Sequence, residues 1–224
     1  MDDATFLPRL GLGVGLLAGI ALYEHRRGRG SDKIREYGFL FGSGLVGAGY
    51  ALLHDLCTHG LSPDYFAIGK GLESAARGFW PDVAWLATRA GWSAGLVIGC
   101  ALLRMNNPQV ERRRLGYASL VRALTWPLAA SLLFAFIGAW LGPNLLDSEF
   151  DTSALHRPGV TDPSAFLTVW GIHIGSYAGA LLGLLVAASR IRRARRKPKV
   201  PGTSAGGLSG DGQLHRLRGR PELG

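Results

Sequence analysis

The sequence predicts an all-α membrane protein, a bundle of five transmembrane helices, from three observations. The apolar residues are grouped into runs near the length, about 20 residues, that a helix needs to cross a bilayer. Glycines inside these runs recur every four residues, which is typical of closely packed membrane helices. The basic residues are concentrated in alternate connections, as the positive-inside rule requires of a multi-pass chain.

Polar residues are nearly absent from the middle of several apolar runs. The segments Gly91–Leu103 and Tyr177–Ala188 are examples, whereas a soluble amphipathic helix shows a polar residue every three or four positions. The first run is short and the second is rich in glycine, so a bundle of four helices is the alternative. The predicted spans are residues 6–23, 37–54, 83–104, 121–142 and 166–189.

The net charge of +9 comes from basic residues whose distribution indicates the membrane topology of the chain. We predict no nucleic-acid partner. Lysine and arginine cluster after the first span, between the third and fourth, and after the fifth, while the other connections carry mainly acids. Basic connections stay in the cytoplasm. We therefore expect a multi-pass membrane protein with its N-terminus outside and its C-terminus in the cytoplasm.

The chain divides into a transmembrane domain, residues 1–190, and a tail, residues 191–224. The tail starts with the basic cluster Arg190–Lys199. This cluster has two possible roles, as a stop-transfer anchor or as a binding site for anionic lipid headgroups. It continues as a glycine- and serine-rich segment, which we expect to be disordered in the cytoplasm because it cannot bury apolar surface.

Glycines spaced four residues apart lie on one helix face and let two backbones approach closely. We favour packing within the chain, with a homo-oligomer or a partner membrane subunit as the alternative. The glycines predicted to form these helix-packing strips are Gly91, Gly95, Gly99, Gly171, Gly175, Gly179 and Gly183.

The ionisable side chains near the spans are predicted to lie on one side of the membrane, where such groups are costly and tend to be functional. Tyr50 and His54 share a face of the second span, and His173 and Tyr177 share a face of the fifth. We expect Arg89 to be neutralised by Asp55 or Asp64. The predicted outward-facing polar pocket consists of His54, Asp55, Asp64, Tyr65, Arg89, His173 and Tyr177.

Each pocket residue also has a purely structural interpretation. Arg89 can extend to the membrane interface among nearby tryptophans, and His173 can join two helices through one hydrogen bond. The Ser-Pro-Asp sequence that begins at Ser62 is typical of a helix start with Ser62 as N-cap. In that interpretation the following Tyr65 and Phe66 are interfacial anchors.

A metal site needs three or four converging ligands. His54, Asp55, His59 and His173 have suitable chemistry, but their spacing matches no metal motif. No serine or cysteine lies beside a base in a known catalytic motif either. The sequence therefore predicts no metal, no cofactor and no assigned catalytic residue.

The segment from Tyr50 to Thr58, followed by the segment from Ser62 to Phe66, resembles a family of uncharacterised bacterial multipass membrane proteins. The family pattern is Tyr-Gly-x-x-His-Asp-Gln-x-Thr and then Ser-Pro-Glu-Tyr-Phe. Asp64 stands where glutamate is usual, and Leu56 replaces the usual glutamine, so one hydrogen-bonding side chain is missing. The matching residues are His54, Asp55, Thr58, Ser62, Pro63, Tyr65 and Phe66. The resemblance covers about half of the chain and implies a bacterial polytopic membrane protein with no established activity. With this resemblance, the expected location is the bacterial cytoplasmic (inner) membrane.

The sequence favours a non-enzymatic membrane protein whose outward-facing pocket binds a small ligand, a lipid headgroup or a partner subunit. The first alternative is a membrane-embedded enzyme that uses His54 and Asp55 as an acid–base pair. A small transporter is the second alternative, although a transport path usually carries polar residues throughout, and the inner halves of these spans carry almost none.

Overall fold

The computed structural model describes residues 30–72, 80–107, 114–146 and 160–196, together with isolated helical positions between 11 and 26. Within these residues the fold is all-α, which confirms the predicted class. The α-helices, in chain order, are α1 (Gly30–Leu61), α2 (Trp80–Met105), α3 (Tyr117–Ala123), α4 (Thr125–Leu141) and α5 (Pro163–Arg196). Two short π-helical turns follow α1 and α4, at Tyr65–Gly69 and Gly142–Leu146.

Four helical segments among the described residues are long and apolar enough to cross a membrane. These segments are Lys33–Leu61, Trp80–Met105, Tyr117–Leu145 and Pro163–Arg196. They contain the last four predicted spans, and each is longer than predicted because a helix continues beyond its most apolar stretch. The predicted first span, 6–23, lies mostly outside the described residues, and its few described positions are helical.

Two predicted boundaries differ from the structure. The loop expected after residue 54 begins only after Leu61, so Asp55 and Thr58 belong to α1. Helix α5 continues to Arg196 and buries Ile191 and Arg195, so the start of the predicted tail 191–224 is helical. Residues 197–224 lie outside the described part of the chain.

The long helices form two antiparallel pairs, α1 with α2 and α4 with α5. In the first pair, a Cβ on Gly47 would overlap the backbones of Gly91 and Gly95. In the second pair, the glycines of α5 lie against backbone carbonyls of α4. Glycine permits this separation because a methyl group would push the helices apart. The seven predicted packing glycines all lie where a Cβ would overlap the neighbouring helix, Gly99 against the Ser43 side chain and the other six against backbone. These glycines are Gly91, Gly95, Gly99, Gly171, Gly175, Gly179 and Gly183.

The two pairs join at the end of the bundle that carries Met105 and Arg196, called the Arg195 end below. Buried apolar side chains from α1, α2, α3 and α5 meet there with two residues of the connections on either side of α3. The cluster consists of Phe39, Leu102, Leu115, Leu120, Ala123, Leu124, Ala187 and Ile191. The guanidinium of Arg195 donates hydrogen bonds to the backbone oxygens of Met105 and Asn107. This contact ties α5 to the end of α2 and leaves the candidate polar pocket at the opposite end.

Candidate functional site

The opposite end, called the His54 end, is shaped by the way the chain leaves α1. The backbone N–H of Tyr65 donates to Ser62 Oγ at 3.3 Å, as the N-cap interpretation of Ser62 predicts. Asp64 Oδ2 accepts hydrogen bonds from the N–H and the hydroxyl of Thr161, at 2.7 and 2.8 Å. These contacts fasten the π-helical turn Tyr65–Gly69 to the segment that precedes α5.

That turn places two aromatic side chains inside the bundle. Tyr65 is 6% exposed and Phe66 is fully buried, and both belong to an apolar cluster with Val83, Phe166 and Val169. The interpretation of Tyr65 and Phe66 as interfacial anchors is therefore wrong for this structure. Burial raises the pKa of the Tyr65 phenol above its ordinary value, because the low-dielectric surroundings disfavour the phenolate.

A chain of hydrogen bonds crosses from α1 to α5 beside these rings. His54 Nδ1 lies 2.9 Å from Asp55 Oδ1, and His54 Nε2 lies 3.0 Å from Ser176 Oγ. The hydroxyl of Tyr50 lies 3.1 Å from the same Ser176 Oγ. Ser131, on α4, donates to the backbone oxygen of Ser176 at 2.9 Å. The polar network thus links α1 to both helices of the other pair.

His173 lies next to this network and is 2% exposed. Its ring centroid lies 4.7 Å from that of His54 in an edge-on arrangement and 4.9 Å from that of Tyr65 in a stacked one. Its Nε2 lies 4.0 Å from Asp55 Oδ1, too far for a hydrogen bond. Within the described residues, this buried nitrogen has no hydrogen-bond partner. Leaving such an atom unsatisfied costs about 1–3 kcal/mol.

The network borders a partly open cavity of about 140 Å³ between the two helix pairs. Most of its wall is glycine, alanine and aliphatic side chains from α1, α2, α4 and α5. Tyr177 also lines the cavity and is 62% exposed, so it lies at the opening. The titratable and hydroxyl side chains of the wall are Tyr50, His54, Asp55, Ser131, His173, Ser176 and Tyr177.

The structure brings together most, but not all, of the predicted pocket residues. The residues that line the cavity or contact His173 are His54, Asp55, Tyr65, His173 and Tyr177. Asp64 instead binds Thr161. Arg89 does not line the cavity, and its guanidinium lies 5.9 Å from the Trp85 ring centroid, in keeping with its structural interpretation. Asp64 and Arg89 therefore lie outside the polar network.

Ser176 is the central residue that sequence reasoning did not select. It is buried, and its hydroxyl forms hydrogen bonds with His54 and Tyr50 of α1. Its position three residues after His173, on the same helix face, was the available signal. A serine inside an apolar run attracts little notice, however, because it commonly bonds to its own helix backbone.

No protein-family model, curated protein or solved structure matches this chain. The described residues form an all-α protein with helices long enough to cross a membrane and a buried polar site between two helix pairs. The resemblance to bacterial multipass proteins stays a prediction.

Proposed function

We propose that this chain is a non-enzymatic, multi-pass protein of the bacterial cytoplasmic membrane that binds a small molecule between its two helix pairs. The cavity beside the His54–Ser176 network is the observation that carries the proposal. At the Arg195 end, by contrast, an apolar cluster fills the space between the two pairs. A cavity that combines apolar walls with a few convergent polar groups is the usual form of a small-molecule site.

The lining indicates the chemistry of the ligand. Glycines, alanines, Ile98, Pro127 and Leu128 suit an apolar body. His54 and Ser176 suit a polar group that exchanges hydrogen bonds with them. We therefore propose that the ligand is a compact amphipathic molecule, either a bilayer lipid or a dissolved metabolite. Its polar group would form hydrogen bonds with His54 and Ser176.

The distribution of basic residues supports an orientation with the His54 end outside the cell. Cysteine labelling in intact cells tests it, in a background in which the two exposed cysteines, Cys57 and Cys100, are replaced by alanine. Gly60→Cys probes the His54 end and Gly116→Cys the Arg195 end, since both glycines are exposed with open space around them. A membrane-impermeant maleimide should label only the first variant. Labelling of only Gly116→Cys would contradict this orientation and indicate the opposite one.

Ligand binding is tested by extracting the protein with its surrounding lipids and identifying bound compounds by mass spectrometry. Ala180→Phe fills the cavity, because Ala180 lines it. Ala178→Phe is the matched control, since Ala178 is exposed on the same helix and does not line the cavity. A compound present at a near-constant ratio to wild type and Ala178→Phe, and lost from Ala180→Phe, supports the proposal. Identical compounds in all three samples contradict it.

One observation favours an enzyme as the second candidate. Asp55, His54 and Ser176 are joined by hydrogen bonds in the order found in acyl-transfer enzymes. In that chemistry Ser176 Oγ would attack an acyl carbonyl and pass its proton to His54 Nε2, while Asp55 holds the Nδ1–H.

A fluorophosphonate probe separates the two candidates, because it reacts covalently with an activated serine. An enzyme would be labelled at Ser176, and Ser176→Ala would remove the label. Ser131→Ala, at the other serine that lines the cavity, would retain it. A non-enzymatic protein would remain unlabelled in all three forms.

A further inference from the structure

We infer that the polar end of the cavity is a binding site for a divalent first-row transition-metal ion, with His54, Asp55 and His173 as its protein ligands. The inference deepens the proposed function and rests on the same pocket. One ligand atom from each of the three residues lies within 4.8 Å of the others. Two imidazoles and one carboxylate are a common set for zinc and for other first-row metals.

The present separations of the three ligand atoms differ from those of a tetrahedral site by at most about 1.5 Å. Nitrogen and oxygen ligands lie about 2.0–2.2 Å from zinc, so two ligands of one tetrahedral ion are about 3.3 Å apart. The 2.9 Å separation of His54 Nδ1 and Asp55 Oδ1 is about 0.4 Å shorter than this value. His173 Nε2 must approach Asp55 Oδ1 from its present 4.0 Å by about 0.7 Å. The three ligand atoms lie within 4.8 Å of one another, so the widest separation must close by up to about 1.5 Å.

The unsatisfied nitrogen of His173 is the independent sign of a ligand. Its ring is held on three sides by His54, Tyr65 and Phe66, while Nε2 faces the Asp55 carboxylate without reaching it. A buried imidazole whose only role was structural would use this nitrogen in a hydrogen bond. A metal ion between Nε2 and the carboxylate satisfies the nitrogen lone pair and neutralises a carboxylate that is itself 8% exposed.

The outer contacts fit the same assignment. If His54 coordinates through Nδ1, its Nε2–H donates to Ser176 Oγ at 3.0 Å. Metal-binding histidines usually donate their second ring N–H to such a partner, which sets the tautomer and the ring orientation. Tyr50 holds Ser176 Oγ from the other side at 3.1 Å. Metal at Nδ1 also displaces the proton that an Asp–His–Ser relay needs, so the metal-bound form and the serine enzyme exclude each other.

The test is titration of the purified protein, with affinity tags removed and metal stripped, using cobalt(II) as a spectroscopic probe and zinc as its competitor. Wild type should bind one ion per chain, with visible absorption bands of a low-coordinate cobalt site. His173→Gln and Asp55→Asn, which keep side-chain size, should each weaken binding by at least about a hundredfold, and Ser176→Ala by about ten- to a hundredfold. His59→Gln is the matched control, because His59 also lies on α1 but contacts Phe66 outside the ligand group.

Wild-type binding no tighter than that of His173→Gln would overturn the inference, as would equal weakening by His59→Gln. If the two ligand variants do not fold, the cobalt spectrum of wild type decides, because a featureless spectrum excludes the site. Ala180→Phe separates this inference from the proposed function, since it fills the cavity without removing a ligand. If wild type binds metal but no compound is lost in Ala180→Phe, only the proposed small-molecule function is contradicted. If a compound is lost in Ala180→Phe but wild type binds no metal, only the metal-site inference is contradicted.

Discussion

The ring of Tyr65 stacks on the imidazole of His173, with centroids 4.9 Å apart and planes inclined by 21°. Tyr65 comes from a turn outside the spanning helices, whereas His173 lies within α5. The turn after α1 therefore forms one wall of the polar site. Any movement of this turn changes the surroundings of His173 directly.

The burial of Tyr65 predicts a pH dependence of stability. Because the folded-state pKa is raised, the contribution of this phenol to stability is fully present below about pH 10, the unfolded value, and is lost as pH rises further. The free energy of unfolding of wild type should then fall by up to about 1.4 kcal/mol per pH unit more steeply than that of Tyr65→Phe. Denaturant unfolding in detergent between pH 9 and about 11 measures the difference, and parallel curves would contradict it.

The glycine contacts of the α1–α2 pair predict opposite outcomes at two nearby positions. Gly47→Ala should destabilise the protein by about 1–3 kcal/mol, because its Cβ would overlap the backbone of Gly91. Gly49→Ala meets open space and should be neutral or up to about 1 kcal/mol stabilising through helix propensity. Thermal unfolding of the two variants tests this. Equal losses of stability at both positions would argue against the close helix contact.

The contact between Arg195 and the end of α2 predicts a large difference between neighbouring arginines. Arg195→Met should cost about 2 kcal/mol or more, since it leaves the carbonyls of Met105 and Asn107 without their charged donor. Arg193→Met, at an exposed position, should change stability by less than about 0.5 kcal/mol. Hydrogen exchange around Met105 should also accelerate only in the first variant. Similar losses of stability in both variants would contradict a role of Arg195 in stabilising this end of the bundle.

Local patterns in the chain were enough to predict the class of the fold and its packing strips. Apolar run length located the four described spanning segments, because crossing a bilayer sets a minimum length on each helix. Four-residue spacing located Gly91 and Gly175 on contact faces, because the helix repeat maps sequence distance onto direction. The N-cap role of Ser62 was equally readable, since it depends only on neighbouring residues.

Which of these helix faces meet depends on how the two helix pairs pack together. Ser176 reaches His54 across 122 positions of sequence, and Arg89 turns to Trp85 instead of the pocket. The residue pattern alone predicted that polar side chains would gather near one end of the helices. Only packing decided their partners, because the rotation and register of one helix pair against the other depend on the summed volumes of many side chains, and no short-range repeat encodes that sum.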